Sequence, residues 1–296
     1  MSVATGTSVL VPVYREGDTL RQTLPAIRKA AEGIRSVEIL LLVQGPQDRS
    51  SYLARQASDG DRVRVLEIPR PGKFAALSAG AAAARMPILL LADADSRPPA
   101  EAFAALVDPI AAGTADVCAA RLVLASAGPP STRSVVDEWS RVTVDAWHLL
   151  RSRRSDLLWA LPGPLYAIRR ELFPATALVP LIDDASVGIA ALEQGARFAY
   201  VPGATAVTDP SPSYLGWCRQ KIRTRRGWEL LRRRRPEMVD ALVPALREAL
   251  SEVLVGEELA VRCLLWHDLQ LRRIGSLTAS ESRGQAGTWR PERRSA

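Results

Sequence analysis

Residues 88–99 read ILLLADADSRPP, and this stretch decides the fold. Its first five residues, Ile88–Ala92, are apolar at consecutive positions, which is typical of a strand buried on both faces of a parallel sheet. The run stops at two aspartates, Asp93 and Asp95, that lie two positions apart. Because ligands of open α/β sheets bind beyond the carboxyl ends of the strands, this segment predicts an α/β fold with two functional carboxylates at a strand tip.

Three earlier segments repeat the apolar pattern, at residues 8–13, 37–43 and 63–68. Helical patterns separate them. Apolar residues from Leu20 to Ile34 fall on one helix face, in which Pro25 is expected to cause a kink or a shift, and the alanine-rich residues 74–85 predict a helix that Pro87 closes. The alternation predicts a doubly wound, mostly parallel sheet.

The second half of the chain is less regular. Strands are predicted at residues 116–124, at 198–202 and in the segment 158–169, which contains the loop Pro162-Gly163-Pro164. Helices are predicted at residues 135–150 and 185–194, and amphipathic segments follow Pro236. We expect a sheet domain over residues 1–235, a helical extension over 236–275 and a disordered polar tail over 276–296.

The composition is that of a soluble globular protein. The chain has 296 residues, of which 47% are hydrophobic and 24% charged, and no apolar run reaches the length of about 18 residues that a membrane span needs. The first residues resemble no secretory signal, so we expect a cytoplasmic protein. The three cysteines are scattered, which indicates neither a zinc site nor a disulfide framework.

The net charge of +7 is concentrated in residues 219–235, where nine of seventeen residues are Lys or Arg. Such a run favours an anionic partner, such as ligand phosphates, a lipid surface or nucleic acid, and a solvated helix face is the alternative. Only Trp217 and Trp228 lie in or beside the run, too few aromatic residues for a base-stacking platform, so nucleic acid is not the expected partner.

Asp93 and Asp95 supply the hard oxygen ligands that Mg²⁺ or Mn²⁺ prefers. Two carboxylates are too few for a closed protein site, which is typical of a metal that also binds substrate phosphates. The alternative is a helix start, with Asp95 or Ser96 capping a helix that follows Pro98 and Pro99.

Two further segments carry charge at predicted helix starts. Lys73 follows Gly72, and a lysine beside free backbone N–H groups favours an anion; a surface lysine after a turn is equally compatible. Asp183 and Asp184 start a later helix. The helix dipole alone favours acidic residues there, and a general base in a cleft is the functional interpretation.

Read in order, six segments resemble the GT-A glycosyltransferases of family 2, over about residues 8–228. VPVYREGDTL resembles the family's first strand and loop, RPGKFAALSAG its G-K-x-x-A-L-N-x-G segment, and LLLADADSRP its D-x-D strand. LPGPLYAIRRELF is similar to the acceptor-side loop, DDASVGIAALEQGARFAYVPG to the E/D-D helix and the strand after it, and RQKIRTRRGW to the basic segment that closes over the donor.

The resemblance implies a GT-A, Rossmann-like fold with a mixed, mostly parallel sheet, helices on both faces and a C-terminal helical extension. It implies inverting, Mn²⁺- or Mg²⁺-dependent transfer from a nucleotide-diphosphate sugar, with a UDP-sugar as the expected donor. Asp184 is the implied base, flanked by Asp183, and Asp95 with Asp93 the implied metal ligands. The implied donor-binding residues are Pro12, Tyr14, Glu16, Gln44, Lys73, Asp93, Ala94, Asp95, Arg223 and Arg226, and the acceptor-binding residues are Gly163, Pro164 and Trp228.

Departures from the family pattern leave alternatives open. Gln44 stands where the family usually has an acid that contacts the nucleobase, and Arg15 and Ser78 replace the usual asparagines. A noncatalytic glycosyltransferase-like protein is therefore one alternative. A sugar-1-phosphate nucleotidyltransferase is less compatible, because PVYREGD is not its Gly-rich loop.

The acceptor is expected to carry a hydroxyl and to be lipid-linked or a small metabolite. The Gln–Arg–Trp signature of processive synthases is kept only loosely, by Gln220, Arg223 and Trp228, so transfer of one or a few sugars is expected. The basic segment 219–235 is a candidate for peripheral contact with an anionic membrane.

Overall fold

A computed structural model of the chain describes residues 6–45, 47–69, 72–125, 135–211 and 213–254. The strands in these residues are β1 (Thr7–Val13), β2 (Val37–Gln44), β3 (Val63–Ile68), β4 (Ile88–Ala92), β5 (Val117–Leu124), β6 (Leu165–Arg169) and β7 (Phe198–Thr208). The helices are α1 (Thr19–Ala31), α2 (Arg49–Ala57), α3 (Lys73–Ala83), α4 (Ala102–Ala111), α5 (Val135–Arg153), α6 (Asp183–Glu193), α7 (Tyr214–Arg234) and α8 (Pro236–Val253).

The strands form one sheet in the order β3-β2-β1-β4-β6-β5-β7. Strands β1 to β4 are parallel, β6 is antiparallel to both β4 and β5, and β7 is parallel to β5. This confirms the mixed, mostly parallel sheet. Because β6 is antiparallel and pairs Leu165 with Ala92, the loop before β6 lies beside the end of β4, where Asp93 follows.

Helices cover both faces of the sheet, as the consecutive apolar residues of the strands predict. Val9 and Val11 of β1 pack in one buried cluster with residues of α1, α2 and α4, whereas Leu10 packs in another with residues of α3 and α6. Alternate residues of each strand therefore enter opposite cores, so almost every position in the strand is apolar.

Helix α8, the last helix in the described part of the chain, packs against α5 and α7. Its Val239 and Leu242 are buried with Leu231 of α7 and with Ala146 and Leu150 of α5. The remainder of the expected extension and the expected tail lie outside the described residues, and the division at residue 235 stays a prediction. No helix in the described part of the chain is long and apolar enough to cross a membrane.

Several boundaries differ from the sequence-based expectations. Helix α6 begins at Asp183 rather than at residue 185, directly after a 3-10 turn over Pro180–Ile182. Strand β7 continues past Pro202 to Thr208, because the pairing with β5 is interrupted there and the missing N–H of proline breaks no ladder bond. Helix α5 continues to Arg153 rather than ending at residue 150. Pro25 lies inside α1, as the sequence pattern predicts.

Candidate active site

Three chain segments meet at the carboxyl end of β4. The backbone N–H of Asp93 donates to the carbonyl of Pro164 at 2.9 Å, which fixes the Pro-Gly-Pro loop beside the strand tip. Lys73, the first residue of α3, places Nζ 2.7 Å from Asp93 Oδ1 and 3.9 Å from Asp183 Oδ2. The structure therefore joins β4, α3 and the start of α6 through one ammonium group.

The start of α3 is held by Gln44 at the end of β2. Gln44 is buried, and its Oε1 accepts a hydrogen bond from the backbone N–H of Gly72 at 2.7 Å. Gly72 has φ 149°, a value that favours glycine. Gln44 thus has a structural role that its sequence position did not indicate, and its contact with a nucleobase stays a prediction.

The charges of the site are strongly coupled. Burial opposes the charge of Lys73, but the carboxylates of Asp183 and Asp93 outweigh it and raise the Lys73 pKa above its ordinary 10.5. Burial, together with the charge of Asp95, raises the pKa of Asp93 from 3.8 to about 6, although Lys73 opposes the rise. Lys73 is thus cationic at neutral pH and stands between carboxylates that repel one another.

Asp184, the predicted base, lies partly buried in the first turn of α6. Burial and the neighbouring Asp183 raise its pKa from 3.8 to about 6, against the charges of Lys73 and Arg151 and a hydrogen bond that Asp184 Oδ1 accepts from the Ala185 N–H. A Cβ on Gly163 would lie 3.1 Å from Asp184 Oδ2. Glycine therefore gives the carboxyl group room beside the Pro162-Gly163-Pro164 loop.

The neighbouring strand tips carry the other predicted donor residues. Pro12 pairs with Leu42, and the ring of Tyr14 packs so tightly on Gly45 that a Cβ there would lie 2.6 Å from it. Arg15 has φ 58°, in the left-handed region, with its guanidinium 5.4 Å from the centre of the Tyr14 ring. Asparagine adopts this conformation more readily than arginine, so Arg15, in place of the family's usual asparagine, strains the backbone.

Glu16 and Ala94 lie in the turns that follow two of these strands. The Glu16 carbonyl accepts a hydrogen bond from the Thr19 N–H at 3.0 Å. Ala94 is buried between the two aspartates, and its carbonyl accepts from the Thr23 hydroxyl of α1. Both residues therefore anchor the turns to α1, and their contact with a donor stays a prediction.

Helix α7 crosses beside the start of α6. A Cβ on Gly227 would lie 2.6 Å from Ile182, the residue before Asp183, so the two segments are in close contact. Trp228 is partly buried, stacked on Trp147 with ring centres 6.4 Å apart and edge-on to Trp159 at 6.3 Å.

Two arginines of α7 were predicted to bind the donor. Arg223 is partly buried and Arg226 is exposed on the same helix. The contact of these arginines with a donor, and with it their role in donor binding, stays a prediction.

The donor set at Asp93 and Asp95 fits a metal only in part. In the ranges that the structure describes, no group of three or more His, Cys, Asp or Glu side chains is arranged to hold a metal ion. The negative charge of Asp95 nevertheless repels that of Asp93, and a divalent cation relieves such repulsion. The two carboxylates therefore suit a cation that takes its remaining ligands from phosphates.

The helix-capping alternative for this turn is wrong. Helix α4 begins at Ala102, well after Asp95 and Ser96. Ser96 is instead buried and donates to the Asp93 carbonyl at 2.9 Å, closing the turn. Arg97 then binds both carboxylate oxygens of Asp209, at 3.1 and 2.5 Å, and ties the end of β7 to the two aspartates.

Two buried polar residues near the carboxylates were missed by sequence reasoning. The Tyr166 hydroxyl has no hydrogen-bond partner in the described part of the chain, and burial with the charges of Asp183 and Asp184 raises its pKa well above 10. Arg151 of α5 is 8% exposed and donates to the Ala160 carbonyl from Nη2 at 2.9 Å. Neither belongs to a recognisable motif, so only the tertiary structure reveals them.

The model of the family described as Glycosyl transferase family 2 matches residues 8–173, more than half of the chain. Among curated proteins, the undecaprenyl-phosphate 4-deoxy-4-formamido-L-arabinose transferase of Pseudomonas paraeruginosa is 33% identical over 110 residues, 36% of this chain and 32% of that protein. The protein of the same description from Edwardsiella ictaluri is 32% identical over 105 residues, 34% of this chain and 32% of that protein. The chain thus spans about a third of the length of these curated relatives.

Two solved structures show the same fold. The mannosyltransferase PcManGT from Pyrobaculum calidifontis, in complex with GDP-Man and Mn²⁺, has a TM-score of 0.59 at 18% identity, covering 92% of this chain and 84% of that one. Glucosyl-3-phosphoglycerate synthase from Mycobacterium tuberculosis, with Mn²⁺, UDP and glucosyl-3-phosphoglycerate, has a TM-score of 0.56 at 20% identity, covering 77% and 79%. At these identities the likeness concerns the fold.

Proposed function

The chain belongs to glycosyltransferase family 2, and from this premise we propose that it transfers a sugar from a nucleotide-diphosphate donor to an acceptor, with inversion at the anomeric carbon. The observation that carries the proposal is the convergence of Lys73, Asp93, Asp183 and Asp184 at one edge of the sheet. A cation for the leaving diphosphate and a carboxylate for the acceptor are thereby supplied within one site.

Lys73 acts on the donor side. Its ammonium stays charged at neutral pH and lies at the start of α3, where free backbone N–H groups also favour phosphate oxygens. Because these groups are fixed before the reaction, they stabilise the charge that develops on the diphosphate. Arg223 and Arg226 of α7 are the proposed further phosphate ligands, and a UDP-sugar is the proposed donor.

Asp95 and Asp93 would hold Mn²⁺ or Mg²⁺. Such a cation, when bound, offsets negative charge on the leaving diphosphate. The structures of PcManGT and of glucosyl-3-phosphoglycerate synthase with Mn²⁺ support the choice of ion.

Asp184 acts on the acceptor side as the general base, with Asp183 beside it. A carboxyl group whose pKa is raised to about 6 is ionised at neutral pH yet basic enough to accept the proton of a hydroxyl group. Gly163 borders this carboxyl group, Pro164 follows it in the loop that is fixed to Asp93, and Trp228 lies on the neighbouring helix α7. The attack is proposed to come from this side of the anomeric carbon, opposite the diphosphate.

The nature of the acceptor changes what Asp184 must do. A hydroxyl group has to lose its proton, whereas a phosphate monoester, with a second pKa of about 6, is already largely dianionic at neutral pH. Transfer to a phosphate oxygen, as the name of the undecaprenyl-phosphate relatives suggests for those proteins, would therefore depend less on Asp184.

The first turns of α7 support a peripheral membrane contact. Leu215 is 67% exposed and Ile222 38% exposed, and the exposed Arg219 lies between them at helical spacing on one face. Apolar side chains beside a basic one suit the interface of an anionic bilayer, which would bring a lipid-linked acceptor to the site. On this ground we propose peripheral contact with an anionic membrane, and the cytoplasmic side stays a prediction from the sequence.

Vesicle sedimentation tests the membrane contact. The wild-type protein should sediment with vesicles that contain anionic lipid and not with zwitterionic ones. The double variant Leu215→Ser, Ile222→Ser should remain in the supernatant. Equal sedimentation of this variant and the wild type would contradict a contact through this face.

Sugar transfer itself is tested with radiolabelled UDP- and GDP-sugars and a bacterial extract as the acceptor source. The proposal expects label in either a butanol-extractable or an aqueous product with wild-type protein. It expects loss of a hydroxyl-linked product with Asp184→Asn, and an inverted anomeric configuration by NMR. Activity that survives Asp184→Asn on a hydroxyl acceptor would refute the base assignment.

A further inference from the structure

A second set of polar groups lies between α5 and strands β5 and β7. It consists of Arg121 on β5, His148 and Arg151 on α5, and Tyr200 on β7. His148 Nδ1 and the Tyr200 hydroxyl are 2.7 Å apart and hydrogen-bonded. We call these four residues the arginine cluster.

Arg121 is the unusual member of the arginine cluster. Its Nε is buried and has no hydrogen-bond partner within the ranges that the structure describes. Arginine is a residue whose donors are almost always used when buried, because an unmade hydrogen bond of a buried donor is unfavourable. The orphaned N–H therefore indicates a group that is bound in the functional state.

Arg151 connects the cluster to the reaction site. Its guanidinium lies over the Trp147 ring at 4.7 Å from the ring centre, which fixes its plane. Its charge acts on Asp184 and Tyr200, and Arg121 acts on Tyr200 and on His148. The four residues thus lie within electrostatic range of one another, with Arg151 also in range of the proposed base and with one direct hydrogen bond, between His148 and Tyr200.

The charges in the arginine cluster are mostly positive. The acidic groups that face it are Asp184 itself and Asp145, and Asp145 Oδ2 is already bound by Arg141 at 3.1 Å. Burial and the guanidinium of Arg121 lower the pKa of His148, so the imidazole is neutral at pH 7. Arg151 uses Nε and Nη2 on the Ala160 carbonyl, so the orphaned Arg121 Nε is the principal donor for an anion, and guanidinium groups suit phosphate oxygens.

The arginine cluster lies apart from the donor diphosphate. Ala119 of β5 pairs with Tyr166 of β6, and β6 in turn pairs with β4, so β5 is two strands away from the strand that carries Asp93. Adjacent strands lie about 4.8 Å apart, which separates the two backbones by about 10 Å. The arginine cluster is therefore separate from the groups proposed to hold the donor diphosphate.

We propose that Arg121, His148, Arg151 and Tyr200 bind a phosphate group of the acceptor, so that the acceptor is a phosphorylated molecule held beside Asp184. Calling the bound molecule an acceptor rests on the proposed glycosyl transfer. Binding of its phosphate group needs no donor. The phosphate can belong to a polyprenyl phosphate or to a small phosphorylated metabolite, which the two arms of the experiment separate.

The test is isothermal titration of the full chain with farnesyl phosphate and, separately, with glycerol 3-phosphate. One of them should bind, and Arg121→Gln should weaken it about tenfold or more, since it removes a charge-assisted hydrogen bond. Tyr200→Phe should weaken it less. The matched control is Arg153→Gln on helix α5, which also carries His148 and Arg151. Arg153 is exposed and paired with Glu252, so this variant should leave binding unchanged.

Because the Arg121 donor is unsatisfied, Arg121→Gln should unfold at a temperature no lower than the wild type, which separates binding from stability. Equal binding of either phosphate by wild type and Arg121→Gln, or no binding of both, overturns the proposal. UDP titrated in the same preparations reports on the donor side. Phosphate binding without any nucleotide binding would refute the proposed function and leave the phosphate site standing.

Discussion

Replacing Asp184 by asparagine should make the protein more stable at neutral pH while it removes the base. The carboxyl group has its pKa raised from 3.8 to about 6 in the fold, chiefly by burial and by Asp183. Ionisation therefore costs the folded state about 3 kcal/mol more than the unfolded chain. Because the side chain is only partly buried, solvent screening reduces the expected gain to about 1–2 kcal/mol.

The stability gain of Asp184→Asn should increase as the pH rises. Below about pH 4 both the folded and the unfolded chain hold the proton on Asp184, so Asp184→Asn changes little. Between about pH 4 and 6 the unfolded chain loses its proton while the fold retains it, and the wild type loses stability relative to the variant. Above about pH 6 the difference is complete.

The assay is urea unfolding of wild type and Asp184→Asn at several pH values from 4 to 8. Asparagine retains an oxygen for the Ala185 N–H, so the helix start should be preserved. Asp116→Asn is the contrast: hydrogen bonds from Arg197 lower the pKa of that carboxyl group, so its loss should destabilise at neutral pH. A destabilised Asp184→Asn, or a gain that does not change with pH, would refute the reasoning.

Four further outcomes follow from the site. Lys73→Met removes the cation between two carboxylates, and should weaken binding of a nucleoside diphosphate about tenfold or more by calorimetry, whereas unchanged affinity would exclude Lys73 from the donor site. Gly163→Ala brings a Cβ to 3.1 Å from Asp184 Oδ2, and should lower kcat about tenfold with nucleotide binding intact; an unchanged kcat would contradict the crowding. For a hydroxyl acceptor, kcat/KM should fall below about pH 6 as Asp184 gains its proton, and a flat profile from pH 5 to 8 would count against the base. Arg15→Asn should raise Tm by about 1–2 °C because φ is 58°, and a lower Tm would show that the contact with Tyr14 outweighs the backbone strain.

The layered sheet could be predicted because its cause is local. Strands buried on both faces must be apolar at nearly every position, and β1, β2 and β4 have this pattern in the sequence. The antiparallel insertion of β6 could not be predicted in the same way. Its position between β4 and β5 depends on pairing with residues far away in the chain, and this pairing is what brings Pro164 to Asp93.

The charged site could be predicted only where the residues lie at strand ends or helix starts. Lys73, Asp93, Asp183 and Asp184 are such residues, and the structure brings them together. How strongly the charges of these residues affect one another's pKa values depends on burial, which no local sequence pattern indicates.

The residues that sequence reasoning missed lie inside regular elements. Arg151 occupies a position in a long amphipathic helix and Tyr166 a position in the middle of a strand, where neither spacing nor composition marks them. Gln44 was noticed as a departure, but its bond to Gly72 depends on the meeting of two loops. Such contacts arise from tertiary packing and need coordinates.

The most direct test of the account is calorimetric titration of the full chain with UDP, GDP, dTDP, CDP and ADP, with and without Mn²⁺. One diphosphate should bind in the presence of Mn²⁺, and Asp95→Ala should abolish this binding while the protein stays folded. No binding of any of the five to folded protein, or binding that Asp95→Ala leaves unchanged, would contradict a donor site at the tip of β4.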